Sequence, residues 1–232
     1  MRVDTLRVNP SFQSLINNPE QDIFLDANFL IPPDRSHFGM KPYRFEDYRE
    51  FWLEPLFSEF DGLSIHESVY DELVMDNVKQ YADFNINDNK SSLRVHYDSE
   101  LSETECIIMM TYIDSLAIHS QYDPDIDNSK DRGEIRSLSY MAVKNYLYFS
   151  ANDDLPIRLI KNADSLNTGL DNMGVIQMYE IIYYLYKKGC YDGKALRNLY
   201  KYQYYLTPKE KQQNPNWGDF VRQMDELYSG GF

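Results

Sequence analysis

Short apolar segments alternate with longer, periodically apolar segments along most of this 232-residue chain. The short segments predict strands at about 22–30, 63–65, 93–97, 146–151 and 174–176. Parallel strands need long crossover connections, and helices between the strands would supply them. The order therefore predicts an α/β fold with a mainly parallel central sheet, in which loops after the carboxyl ends of the strands form the ligand crevice.

The segments between and after these strands predict helices. Their predicted bounds are 45–60 with a bend near Pro55, 67–81, 102–121 with a capping box at Ser102 and Glu105, 131–145, 155–163, a helix ending at Gly189, and one from Asp192 to about 206. We expect residues 1–206 to form one domain with helical insertions at 45–60 and 102–121. We expect residues 207–232 to form a C-terminal tail, in which Trp217 begins a short helix.

Composition and charge narrow the class of protein. Hydrophobic residues make up 43% of the chain and aromatic residues 15%, which is enough for a large core. Cys106 and Cys190 have no metal-ligand or redox spacing, and no apolar segment approaches the ~20 residues of a membrane helix. We therefore expect a soluble, cytoplasmic protein. The histidines show no ligand-like pairing, and we expect ordinary surface or loop roles for them: His37, His66, His96 and His119.

The net charge is −14, which argues against binding by broad phosphate neutralisation. It does not exclude nucleic-acid chemistry, because carboxylates gathered around divalent ions would contribute to that total.

Asp26 stands inside the almost wholly apolar run from Ile23 to Ile31. An ionised carboxylate in a buried strand is costly unless a cation meets it. Placing Asp26 at the carboxyl end of the strand, beside a metal or ligand, removes that cost. The alternative is a buried aspartate that caps the next turn.

Other segments place carboxylates where this topology converges. Glu72 follows the second strand, Asp153 and Asp154 close the fourth, and Glu134 lies at the start of the helix before it. Grouped carboxylates without compensating cations repel one another, and Mg²⁺ or Mn²⁺ relieves that repulsion. Structural roles would also account for each of them: a solvated helix face for Glu72, an Asp-x-x-Glu helix start for Glu134, and helix capping for Asp153 or Asp154.

The signature segments of PIN-domain nucleases resemble segments of this chain in the same order: Ile23–Ile31, Ile65–Leu73, Asp131–Ile135, Phe149–Asp154 with Arg158, and Gly174–Ile176. The resemblance extends over about residues 22–200 and is greatest to the subgroup whose third acid lies in a Gly-Glu helix start. It implies a Rossmann-like α/β/α sandwich that holds one or two Mg²⁺ or Mn²⁺ ions. It also implies hydrolysis of phosphodiesters by a metal-activated water, leaving 5′-phosphate and 3′-hydroxyl ends.

Residue by residue, the resemblance implies that Asp26, Glu72 and Glu134 are the first three acids of the site. It implies that Asp154, or its neighbour Asp153, is the fourth. Asp26, Glu134 and the fourth acid would hold the metal, and Glu72 would ligate it or orient water.

Two further positions bear on the same motif. Asn28 falls where the family also has asparagine and would orient the loop. Ala27 departs from the family, because serine or threonine is common there, and the departure bears on metal affinity or rate.

A basic segment at 183–211 carries seven cations against two anions and many tyrosines. Bases could stack on these tyrosines and phosphates could meet the cations, among them Lys187, Lys188, Lys194, Arg197 and Lys201. The alternative is that the tyrosines pack in the core and the cations are simply solvated.

The leading hypothesis is a metal-dependent ribonuclease of the toxin or RNA-processing kind, acting on RNA or single-stranded DNA, with a basic antitoxin-like partner and a homodimer among the possibilities. An inactive PIN-like module that binds a basic partner is the second, favoured by the charge of −14 and by Ala27. A haloacid-dehalogenase-like phosphatase is the third. That family expects a second aspartate where this chain has Asn28, so it ranks lowest.

Overall fold

The strands form a five-stranded, all-parallel sheet in the computed structural model, which describes residues 2–87, 92–228 and 230. They are β1 (Ile23–Leu25), β2 (Leu63–His66), β3 (Arg94–His96), β4 (Tyr148–Ala151) and β5 (Gly174–Gln177). Their order across the sheet is β3-β2-β1-β4-β5. In the central strand, Phe24 pairs with Ser64 on one side and with Phe149 on the other. The predicted α/β fold with a parallel sheet is confirmed.

Helices connect and cover the strands. They are α1 (Pro10–Asn17), α2 (Phe45–Tyr48), α3 (Glu54–Glu59), α4 (Glu67–Asp71), α5 (Asp76–Asn87), α6 (Glu103–Ala117), α7 (Arg132–Lys144), α8 (Asp154–Lys161), α9 (Ala163–Leu166), α10 (Met178–Lys188), α11 (Gly193–Tyr204), α12 (Pro208–Gln213) and α13 (Trp217–Tyr228). Single 3₁₀ turns lie at Ala27–Phe29, Ser36–Phe38 and Asp98–Glu100, and a π-helical segment at Arg49–Leu53 joins α2 to α3.

Several predicted bounds were wrong. The single helix predicted at 67–81 is divided into α4 and α5, because the chain turns after Glu72 to bury Leu73 while Val74 stays 82% exposed. The polar sequence from Asn85 to Asn89 is typical of a loop, but α5 continues to Asn87, and residues 88–89 lie outside the described residues.

The ends of three further elements can be compared with the sequence. The helix predicted at 102–121 ends earlier, at Ala117, although its predicted capping box of Ser102 and Glu105 is confirmed. The first strand ends at Leu25, because the Asp26 side chain accepts a hydrogen bond from the Ala27 N–H and starts a 3₁₀ turn. Gly189 ends α10 in the left-handed conformation, as predicted.

Alternate residues of the strands face two separate hydrophobic cores, one on each face of the sheet. Ile23 and Leu25 belong to the core that contains Trp52, whereas Phe24 belongs to the core that contains Leu138. Both faces of the sheet are therefore covered, as a parallel sheet requires.

The two predicted insertions differ in their surroundings. The insertion at 45–60 packs over the loop that follows β1, where the Tyr48 hydroxyl and the Trp52 Nε1–H both donate to the Phe29 carbonyl, at 3.1 and 2.9 Å. Helix α6 instead leaves Ile107 and Met110 exposed.

The short helix predicted at Trp217 is present as α13, and its Phe220 and Met224 are buried in the core on the Trp52 side. The division into a domain and a tail stays a prediction.

No helix in the described part of the chain combines the length and the apolar character that crossing a membrane requires.

Trp52→Ala should lower the free energy of unfolding by about 3–5 kcal/mol, because it removes a fully buried indole and one of the two hydrogen bonds that hold the Phe29 carbonyl. Urea unfolding followed by circular dichroism measures the change. Ile107→Ala, at a side chain that is 70% exposed, should stay within about 0.5 kcal/mol of the wild type. Equal losses in both variants would contradict the packing described for the 45–60 insertion.

Candidate metal site

The strand order fixes where a ligand crevice can form. From β1 the chain moves outward to β2 and β3 on one side, then returns to form β4 and β5 on the other. The crevice of such a sheet lies at this reversal, outside the carboxyl ends of β1 and β4. Asp26 directly follows β1, and its N–H donates to the Ser150 carbonyl of β4 at 3.0 Å. Asp153 lies two residues after β4.

Three carboxylates converge at this point. One oxygen each of Asp26, Glu134 and Asp153 lies within 4.8 Å of the other two. Asp26 is only 3% exposed. The Asn28 Nδ2 donates to Asp26 Oδ2 at 2.5 Å and to Asp153 Oδ2 at 3.2 Å, so this amide ties two of the three acids together.

Glu72 is held beside this group by the first turn of α7. Its Oε1 accepts a hydrogen bond from the Gly133 N–H at 3.1 Å. A Cβ on residue 133 would overlap the Glu72 carboxylate, so only glycine allows this approach. The Gly-Glu start of α7 thus has a physical reason: Gly133 admits Glu72, and Glu134 adds its own carboxylate to the group.

The alternative structural roles of Glu134, in an Asp-x-x-Glu helix start, and of Asp153, as a helix cap, are not observed. Asp131 does not cap α7 with its side chain; its Oδ2 accepts from the Gln121 N–H at 2.8 Å instead. Asp153 precedes α8 but makes no side-chain capping bond. Asp26 does take part in its own turn, accepting from the Ala27 N–H at 2.8 Å through Oδ1.

Burial and mutual repulsion disfavour the charged forms of these acids. Burial, followed by the charges of Glu134, Asp153 and Glu72, raises the pKa of Asp26 well above its usual value. Burial and the charge of Glu134 raise the pKa of Glu72 to about 7, against the opposing hydrogen bond from Gly133. Burial also raises the pKa of Glu134, with Asp131 and Asp153 adding to the shift.

Protein cations act on the group only from a distance: the charge of Arg132 opposes the raised pKa of Glu72, and the charge of Lys130 opposes that of Glu134. Among the described residues, no lysine, arginine or histidine nitrogen lies within 4.0 Å of a carboxylate oxygen of Asp26, Glu72, Glu134 or Asp153. The nearby Lys130 pairs with Asp131 at 3.5 Å, and Arg132 pairs with Asp127 at 3.1 Å.

A hard divalent cation fits this donor set. All the donors are oxygens, which Mg²⁺ and Mn²⁺ prefer. The Asn28 Oδ1 is buried beside the acids and has no hydrogen-bond partner in the described part of the chain. These acidic groups could therefore hold a metal ion.

Asp154 is not part of the three-carboxylate group. Its exposed side chain lines a separate cleft with Asn152 and Lys161. Of the two neighbouring acids that the sequence left open, the structure brings Asp153 to Asp26 and Glu134. A catalytic role for Asp154 stays a prediction.

The basic segment is only partly free to meet a nucleic acid. Lys187 pairs with Asp225 at 2.8 Å, and Lys188 with Glu59 at 3.2 Å. Lys194, Arg197 and Lys201 form no ion pair with the described residues, and their contact with nucleic acid stays a prediction. The tyrosines that could have stacked on bases are mostly buried: Tyr183, Tyr184, Tyr200, Tyr202 and Tyr204.

Two histidine expectations were wrong, because His66 and His96 are buried at the ends of β2 and β3. One ligand atom each of His66, Glu67 and Asp98 lies within 4.8 Å of the others, so this second group could also hold a metal. Its atoms already have partners, however. His66 Nε2 is 3.0 Å from Asp98 Oδ1, and Arg136 forms an ion pair with the same carboxylate.

Comparisons with known proteins add no family assignment: no protein-family model matches the chain, and no curated protein or solved structure shows significant similarity to it.

Gly133→Ala should weaken Mn²⁺ binding by about tenfold or more, because the new methyl group displaces the Glu72 carboxylate beside the site. Isothermal titration with Mn²⁺ measures the affinity. Ser137→Ala is the matched control on the same helix, since it removes a buried hydroxyl that has no hydrogen-bond partner among the described residues. Unchanged Mn²⁺ affinity in Gly133→Ala would show that Glu72 does not contribute to the metal site.

The metal-free protein should lose stability as the pH rises from about 4.5 to 7. An unfolded glutamate has a pKa near 4.3, so in this range the folded state holds the Glu72 proton more tightly than the unfolded state does. The expected loss is roughly 1–3 kcal/mol, with Asp26 and Glu134 acting in the same direction. Thermal unfolding in EDTA across this range measures it.

Burial also raises the pKa of Glu180 to about 7, so the pH profile is not specific to the site. Glu72→Gln isolates the contribution of Glu72, because it removes one titrating group and should flatten the profile. An identical slope in Glu72→Gln and the wild type would contradict the shifted pKa of Glu72.

Proposed function

We propose that this protein is a Mg²⁺- or Mn²⁺-dependent nuclease that hydrolyses phosphodiester bonds of RNA. The observation that supports the proposal is the convergence of Asp26, Glu134 and Asp153 at the reversal of the strand order, where none of the three forms an ion pair with a described protein cation. The resemblance of the sequence to PIN-domain nucleases points in the same direction.

In this proposal Asp26, Glu134 and Asp153 hold the cation. When bound, such a cation lowers the pKa of water and neutralises charge on the phosphate. Asn28 keeps two of the ligands at a fixed separation through its two hydrogen bonds. Glu72, whose pKa is about 7 and whose position is fixed by Gly133, is suited to accept a proton from the attacking water near neutral pH.

The finer parts of the proposal rest on the resemblance. RNA is the expected substrate, with single-stranded DNA as an alternative. A toxin or RNA-processing role, a basic antitoxin-like partner and a homodimer stay predictions.

Asp26→Asn should lower Mn²⁺-dependent cleavage of single-stranded RNA by more than about 100-fold, because it replaces a charged ligand with a neutral one of the same shape. The rate is measured with a labelled RNA in Mn²⁺ and compared with the rate in EDTA. Asp153→Asn should behave in the same way. Asp164→Asn, at an exposed acid of α9, makes the same chemical change away from the site and should retain the wild-type rate.

Two outcomes would contradict this proposal: no cleavage of RNA or single-stranded DNA by the wild type with either metal, or full activity in Asp26→Asn. Metal titration distinguishes the nuclease from the second candidate, which is an inactive module that binds a basic partner. That candidate is favoured by Ala27 and by the net charge of −14. A module without a working site should show no saturable Mn²⁺ binding that depends on Asp26.

A further inference from the structure

A cleft of about 270 Å³ lies beside the acidic group, between the amino-terminal segment and helix α8. Its cations are Arg2, Arg7 and Lys161, and we call it the basic cleft. Asn152 and Asp154, which also line it, are the two chain neighbours of Asp153. The basic cleft therefore begins one residue from the candidate metal site.

The cations of the basic cleft are not neutralised by the protein. Arg2, Arg7 and Lys161 are exposed, and none forms an ion pair with a described carboxylate. Two arginines and a lysine directed at one cleft are the side chains that bind phosphate oxygens.

Two buried amides also line the basic cleft, and both lack an acceptor. Asn152 and Gln177 are each 4% exposed. Their oxygens are occupied, since the Tyr204 hydroxyl donates to Asn152 Oδ1 at 2.5 Å and Lys161 donates to Gln177 Oε1 at 3.3 Å. In the described chain neither amide NH₂ group has a hydrogen-bond acceptor. Both residues line the cleft, so an oxygen-rich ligand there would supply acceptors for these two NH₂ groups.

The amino-terminal wall of the basic cleft is held in place by distant elements. The Val3 N–H donates to Asn214 Oδ1 at 2.9 Å, and the Thr5 hydroxyl donates to Gln223 Oε1 at 2.6 Å. The Tyr179 hydroxyl donates to the Asp4 carbonyl at 3.2 Å. Because the backbone that carries Arg2 and Arg7 is fixed, a ligand would bind there with a smaller entropic cost.

The balance of groups favours a phosphodiester over a cation. Asp4 and Asp154 are the carboxylates of the cleft, and Asp4 already accepts from the Leu6 N–H at 3.0 Å. Three cations and two amide donors line the cleft against these two acids, which favours an anion as its ligand. A second cavity, of about 390 Å³, shares Asp4, Arg7 and Lys161, so the groove continues past a single phosphate.

We propose that the basic cleft binds a phosphate of the substrate strand next to the one at the acidic group. This inference rests on the proposed nuclease function for its choice of ligand, and it makes the amino-terminal segment part of the substrate-binding surface.

The test is the affinity of the Arg7→Ala/Lys161→Ala double variant for a fluorescein-labelled single-stranded RNA of about ten nucleotides, measured in EDTA so that nothing is cleaved. Binding should weaken by about tenfold or more, and the slope of log K against log salt should decrease by about 0.7 for each phosphate that the variant no longer neutralises. Arg94→Ala/Lys144→Ala removes the same charges at the start of β3 and the end of α7, at the opposite edge of the sheet from the cleft, and should bind like the wild type. Mn²⁺ titration of the double variant should match the wild type, which shows that the acidic group is intact.

Equal RNA affinities in the two double variants, or no RNA binding by the wild type, would overturn the proposal. So would displacement of the RNA by inorganic phosphate at an equal phosphate concentration, which would assign the cleft to free phosphate. A wild type that binds RNA through these cations but cleaves none with Mn²⁺ would support the cleft and end the nuclease proposal, so the two failures are distinguishable.

Discussion

The constraint on which this structure depends is the repulsion among carboxylates held together at one point of the sheet. Asp26, Glu134 and Asp153 lie within reach of a single ion, and Glu72 is close enough for its pKa to be raised by Glu134. The folded chain opposes this repulsion with backbone geometry rather than with ion pairs. Asp26 is anchored by its N–H to the carbonyl of Ser150, and Glu72 by the N–H of Gly133. Folding therefore holds together carboxylates whose charged forms are disfavoured until a divalent cation binds.

That arrangement requires a rigid loop after β1, and the aromatic insertion at 45–60 provides it. Two donors, from Tyr48 and Trp52, meet the carbonyl of Phe29, three residues beyond Asp26. A carbonyl that accepts two buried hydrogen bonds cannot shift without losing both, so the loop resists the outward movement that repulsion favours. The insertion thus supports the site from the core side.

Local signals in the sequence were enough to predict the sheet and to single out Asp26 as a site candidate. Short apolar runs mark the strands, and a carboxylate inside such a run is conspicuous. The choice between Asp153 and Asp154 was beyond these signals. Neighbouring residues at a helix start point about 100° apart, and only the packing of α8 decides which one faces Asp26. The pair of buried His66 and half-buried Asp98 was missed because its members are 32 residues apart and meet through the pairing of β2 with β3. The pairing of two such strands in parallel register is the signal that could have revealed it.

An acidic protein can act on a polyanion only if its charges are segregated, and this chain segregates them around β4. On one side of Asp153 are the carboxylates that would hold a cation; on the other are Arg7 and Lys161, without carboxylate partners among the described residues. Long-range repulsion from the net charge of −14 is screened over about 10 Å at ordinary ionic strength, so short-range contacts at the site can decide binding. In such an arrangement the basic cleft and the acidic group contribute separately to catalysis. The basic cleft would act on substrate affinity and the acidic group on the chemical step, so damage to the first should appear mainly in KM and damage to the second mainly in kcat.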